Sequence, residues 1–158
     1  MAIITLNNNS LSSVTSLPAG VGGKVLQVVT NTENNRFTTT SGSFAAATGY
    51  TIAITPSATS SKIFVCISSM IDTAVGNRVA HATIYRDTTN LGNAQGIALA
   101  YQQSSRLYAP ITLSVLDSPS TTSQVTYQVY TRSGDSGDPI VFNDAEAEAQ
   151  LTAFEIAG

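Results

Sequence analysis

Lys62-Ile63-Phe64-Val65-Cys66-Ile67-Ser68-Ser69-Met70-Ile71 decides the fold. Successive side chains of a strand point to opposite faces, so one face takes Ile63, Val65, Ile67 and Ile71 and the other takes Phe64, Cys66 and Met70. A half-solvated strand alternates apolar with polar. Apolar residues on both sides predict a strand that is covered twice.

Outward from this stretch the same period recurs, with turn residues between the runs. Further strands are predicted at Val25–Thr30, Tyr50–Thr55, Val79–Arg86, Gly96–Tyr101, Ile111–Asp117, Gln124–Arg132, Ile140–Asn143 and Gln150–Ala157, with a weaker one at Arg36–Thr40. Between them stand Pro56-Ser57-Ala58-Thr59, Asp117-Ser118-Pro119-Ser120 and Gly134-Asp135-Ser136-Gly137-Asp138-Pro139. Each supplies the Pro, Gly or Asp that a chain reversal needs. Asp144–Gln150 has helical propensity, but seven residues are too few for a helix without packing, so a loop or single turn is expected. The whole reads as an all-β antiparallel sandwich. Each sheet of a sandwich has one inner face. A second, moderately apolar face therefore points to burial between copies of the chain.

Composition agrees. The 158 residues suit one domain, and only 11% are charged. Mean hydropathy is nevertheless slightly positive, so the chain has the means to fold. The net charge is −3, and the seven basic residues stand singly, without the cluster that binding to nucleic acid or to an anionic membrane requires. Cys66 is the one cysteine, so no intrachain disulfide forms, and its setting is that of a small packed side chain.

Residues 1–23 differ from the rest. They are uncharged, rich in Asn and Ser, and end in Pro18, Gly20, Gly22 and Gly23. They read as an N-terminal arm joined by a turn to a domain at 24–158. No basic stretch precedes an apolar run there, so synthesis without export is expected.

Little of the chemistry-bearing inventory is organised. His81 is the sole histidine and has no evident nucleophile or orienting partner, which leaves it structural or interfacial. Asp135, Asp138 and Asp144 lack the Asp/Asn ladder of a calcium loop and are explained by turn demand. Glu33, Glu146, Glu148 and Glu155 are the only glutamates, and no Trp offers a stacking platform for a sugar. Gly20-Val21-Gly22-Gly23-Lys24 runs into a strand, so it is not a phosphate loop. No catalytic residue, metal site or cofactor is expected.

Several phrases carry a resemblance: the opening MAIITLNNNSLSSVTSLPAG, Thr59–Ile63, Ala82–Asp87, Leu116–Pro119 and Leu151–Ala157. Together they resemble small virion proteins of tailed bacteriophages from aquatic and cyanobacterial hosts, of the decoration, head-fibre and fibre-like kinds. The resemblance implies a jelly-roll-like sandwich and a homotrimer, similar to tumour-necrosis-factor-like and fibre-head trimers, and it carries no catalytic residues. It implies that Ile3, Ile4, Leu6, Leu11, Val14 and Leu17 of the arm dock on another virion protein, either the major capsid protein or a tail or fibre component. His81, Tyr85, Tyr127 and Tyr130 would line the trimer interface, where three His81 side chains could ring an axis and act as a pH switch or hold an ion. Asp87, Asn90, Asn93, Asp135 and Asp138 would sit on outer loops. The implied location is the virion, assembled in the host cytoplasm. Capsid decoration and a tail-fibre tip binding a host glycan or protein are both open at this stage, and short length favours decoration. A free lectin is disfavoured by the scarcity of aromatics.

Overall fold

The computed structural model describes residues 25–74, 76–144 and 147–158. The arm lies outside them, as do its six docking residues. Among the described residues the chain forms eleven strands: β1 (Val25–Glu33), β2 (Phe37–Thr39), β3 (Ala45–Ile54), β4 (Lys62–Asp72), β5 (Arg78–Arg86), β6 (Thr89–Asn90), β7 (Ala98–Gln102), β8 (Tyr108–Asp117), β9 (Val125–Ser133), β10 (Ile140–Phe142) and β11 (Ala149–Ile156).

These make two antiparallel sheets. In the first, β1, β11, β4 and β8 lie side by side, and β10 and β2 extend it beyond the end of β11. In the second the order is β3, β9, β5, and β5 then pairs with both β6 and β7. Stripped of the short β2, β6 and β10, the orders 1-11-4-8 and 3-9-5-7 are the two sheets of an eight-stranded jelly roll. The fold expected from the sequence is therefore the fold observed.

The core confirms the alternation. Ile63, Val65, Ile67 and Ile71 of β4 face inward with Leu151 and Ala153 of β11, opposite Ile52, Ile84 and Val129 of the second sheet. Burying one such side chain contributes about 1.5–3 kcal/mol.

β3 begins five residues earlier than the sequence predicts, since Ala45–Gly49 is poor in strand-forming residues. Pairing with β9 overrides that preference. A bulge between Ala46 and Thr51 brings both Ala47 and Tyr50 into the core. Gly49 makes the bulge possible: its φ is +92°, and a Cβ there would collide with Glu33 Oε2.

Three buried charges fasten strand ends and loops, one of them across the two sheets. Asp117, at the end of β8, accepts hydrogen bonds from Arg86 Nη1 (2.7 and 2.8 Å) and from the Tyr127 hydroxyl (2.7 Å). Glu155 of β11 accepts from Ser57 N (2.7 Å), Ser57 Oγ (2.6 Å), Ser61 Oγ (2.6 Å) and Gln27 Nε2 (2.6 Å). Asp72 accepts from Arg106 Nε and Nη2 and from Ala74 N, which fastens the stretch before β8 to the end of β4. Hydrogen bonds to charged groups of this kind stabilise by about 1.5–3 kcal/mol when well made.

Candidate interaction surface

Among the described residues, the outer face of the first sheet carries an ordered apolar band. Registers across β1, β11, β4 and β8 align Val28, Phe154, Phe64 and Leu116 in one transverse row. Val28 is 51% exposed and Leu116 54%, while Phe64 and Phe154 are half-buried with ring centroids 6.1 Å apart. The next row is Thr30, Thr152, Cys66 and Ser114, and the one beyond it is Thr32, Gln150, Ser68 and Thr112. None of these twelve positions carries a charge. Lys62, beside Ile156, flanks the apolar row on its other side. Val25 and Leu26 at the start of β1 are also half exposed. An exposed apolar band bordered by hydroxyl-bearing residues is the pattern of a surface that meets another molecule.

Phe64 and Cys66 stand where the alternation of the β4 stretch predicts, on the side away from the core. Val28 and Leu116 are not singled out by sequence reasoning. Leu116 has a signal: in Ile111-Thr112-Leu113-Ser114-Val115-Leu116 it is the apolar residue out of phase with its neighbours.

The residues expected at a trimer interface fare differently. Tyr127 is a correction. Its ring is fully buried between the sheets, with burial first and Asp117 second holding its hydroxyl well above the usual phenol range. It alternates with Tyr130 along β9, so the two cannot share a face. His81 lies on the outer face of the second sheet but is only 6% exposed, because the stretch after β6 folds over it. Its Nδ1–H donates to the Gln95 carbonyl at 2.9 Å. The Gln95 side chain in turn accepts from Arg132, the cross-strand partner of His81. Burial and the Arg132 charge lower the His81 pKa, against the opposing effect of the Gln95 bond. An imidazole so covered is not presented to a ring of histidines on an axis. Tyr85 and Tyr130 stack at 3.9 Å, with Phe44 edge-on to Tyr85 and the Arg132 guanidinium over Phe44. They remain half-buried and reachable.

The expected outer loops do not form one surface. Asp87, exposed, follows the last residue of β5 and bonds to Thr126. Asn90 accepts from Thr83 and Gly92, and Asn93 caps Gln95. Asp138 pairs with Arg78 at 2.5 Å at the opposite end of β5, and Asp135 is exposed beside it. The 9 residues of β5, roughly 26 Å from end to end, separate the two groups.

Among the described residues no three His, Cys, Asp or Glu side chains cluster in a way that could hold a metal ion. Glu33 accepts from the Asn34 and Asn35 amides, Glu155 is enclosed, and Glu146 lies outside the described residues. Glu148 borders a shallow groove of about 320 Å³ at the far end of the first sheet, with Ser68, Met70, Tyr108 and Pro110.

No protein-family model matches the chain, and no curated protein matches it. Solved structures that it resembles include T=1 particles derived from infectious bursal virus (16% identity over 84% of this chain and 36% of the other, TM-score 0.39). A second is infectious bursal disease virus, Gx strain (16% identity, 84% and 37%, TM-score 0.31). The chain thus spans little more than a third of the length of either. At that level the likeness says nothing of function.

Proposed function

We propose that this chain is a non-enzymatic surface protein of a bacteriophage virion, seated on the capsid through residues 1–23 and self-associated through its jelly-roll domain. The observation that carries the reading is the uncharged apolar row Val28–Phe154–Phe64–Leu116, set on the outside of a jelly roll whose core is already complete. One sandwich has no use for such a row, and an assembly does. The resemblance of several phrases to small phage virion proteins supplies the setting for this reading, and the jelly roll is a common architecture of viral capsid and lectin domains. The interface expected for a trimer comprises His81, Tyr85, Tyr127 and Tyr130, two of which are enclosed. Self-association is therefore proposed through the first sheet instead.

Antibody labelling of intact particles tests the placement, with signal expected over the head. Deletion of residues 1–20 should abolish attachment and leave the domain folded. Labelling over the tail would favour the second reading, a fibre tip, for which the groove beside Tyr108 and Glu148 is a place for a host-surface ligand. Absence of the protein from purified particles would end both readings.

A further inference from the structure

We infer that the outer face of the first sheet is a twofold contact with a second copy of this chain, in which Val28 of each copy meets Leu116 of the other. The inference rests on the self-association proposed above and adds the surface, the symmetry and the facing residues.

Three observations select a sister copy as the occupant. First, the row reads aliphatic, aromatic, aromatic, aliphatic from β1 to β8, and it reads the same in reverse. A twofold axis lying between the sheets and running along the strands, midway between β11 and β4, turns the row onto itself. It places Val28 over Leu116 and Phe154 over Phe64, so large side chains meet large ones and small meet small. An isologous interface requires this self-complementarity.

Second, the charges permit it. Each copy carries a net charge of −3 from ten acidic and seven basic residues, so two copies repel in general. None of the acidic residues occupies the three rows, where identical copies can approach without like-charge opposition. The absence of charge also removes the usual means of selecting a foreign partner.

Third, the size is adequate for a contact between crowded copies. Four strands at about 4.8 Å spacing and three rows at about 6.6 Å give roughly 380 Å² per copy, or about 760 Å² for the pair. That falls below the roughly 1,000 Å² of a stable specific interface and suits a transient one. Pairing in solution is therefore weak and dependent on concentration.

Charge substitutions test the register. Val28→Lys and Leu116→Glu both fall at half-exposed positions, and circular dichroism and melting should show each variant folded. By sedimentation equilibrium up to about millimolar protein, the wild-type chain should pair, and each variant alone should be monomeric. An equimolar mixture of the two should pair again, because the introduced lysine then faces the introduced glutamate on one side while Leu116 faces Val28 on the other. Assemblies that persist in both single variants would overturn the face but leave self-association standing. Single variants that dissociate but are not rescued on mixing would overturn the register. A wild-type mass of three chains would overturn the twofold symmetry. A wild-type monomer throughout the range would overturn self-association itself. A loss of pairing on deleting residues 1–23 with the row intact would make that segment the adhesive element and overturn the inference.

Discussion

Tyr127 donates its hydroxyl proton to Asp117 Oδ2 at 2.7 Å across the gap between the two sheets. Arg86 reaches the same carboxylate from β5, so one acid at the end of the first sheet is held by two strands of the second. A tyrosine that the sequence offers as interface is thereby a clamp within the fold.

Tyr127→Phe should accordingly lower stability by about 1–2 kcal/mol, the value of one buried hydrogen bond whose acceptor keeps another partner. Self-association should not change. Urea denaturation gives the first quantity and sedimentation the second; a variant with wild-type stability would show that the bond is idle.

Glu155 sets the acid limit of the fold. Burial alone would raise its pKa, but the bonds from Ser57, Ser61, Gln27 and the Ser57 amide outweigh burial and hold it at about 2, below an ordinary value of 4.5. The unfolded chain binds this proton more readily, so the contribution of Glu155 is complete above pH 4.5 and declines as pH falls toward 2. Glu155→Gln should melt with a shallower dependence on pH in that window. Parallel melting curves for variant and wild type would refute the assignment.

His81 should titrate below its ordinary 6.5, and an NMR titration reads the midpoint directly. Because its folded pKa is depressed, the stability it contributes is present above 6.5 and lost as pH falls through the folded value. Arg132→Gln removes the facing cation and should move the midpoint upward. No movement would mean that burial acts alone.

Gly49→Ala forces a side chain into a left-handed bulge against Glu33. A loss of more than about 1 kcal/mol is expected in urea denaturation, since the native backbone there is closed to other residues. Unchanged stability would show that the bulge can relax.

Much of the fold is legible in the chain itself. Ile63, Val65 and Ile67 define one face of β4 by period alone, and Phe64 and Cys66 define the other. The ends of most strands fall within a few residues of expectation because Pro, Asp and Gly mark the turns. Ala45–Gly49 escapes because its strand character comes from pairing with β9, a contact with no local trace. His81 and Tyr127 mislead for a related reason. Alternation tells which side chains share a face; it does not tell which face is inside, or that the stretch around Gln95 returns to cover the other. The row through Val28 and Leu116 depends on the register of four strands, all of them distant from one another in sequence, and register is written only in the folded molecule.

The sole thiol of the chain sits one row from Phe64 and is partly open in the single copy, which makes it a direct reporter of whether that surface is shared. Alkylation of Cys66 should slow as protein concentration rises, in proportion to the fraction of chains in pairs, and should lose that dependence in Leu116→Glu. A rate that is the same at all concentrations and in both proteins would mean that the sheet faces water in the assembly, and the proposed contact would be contradicted.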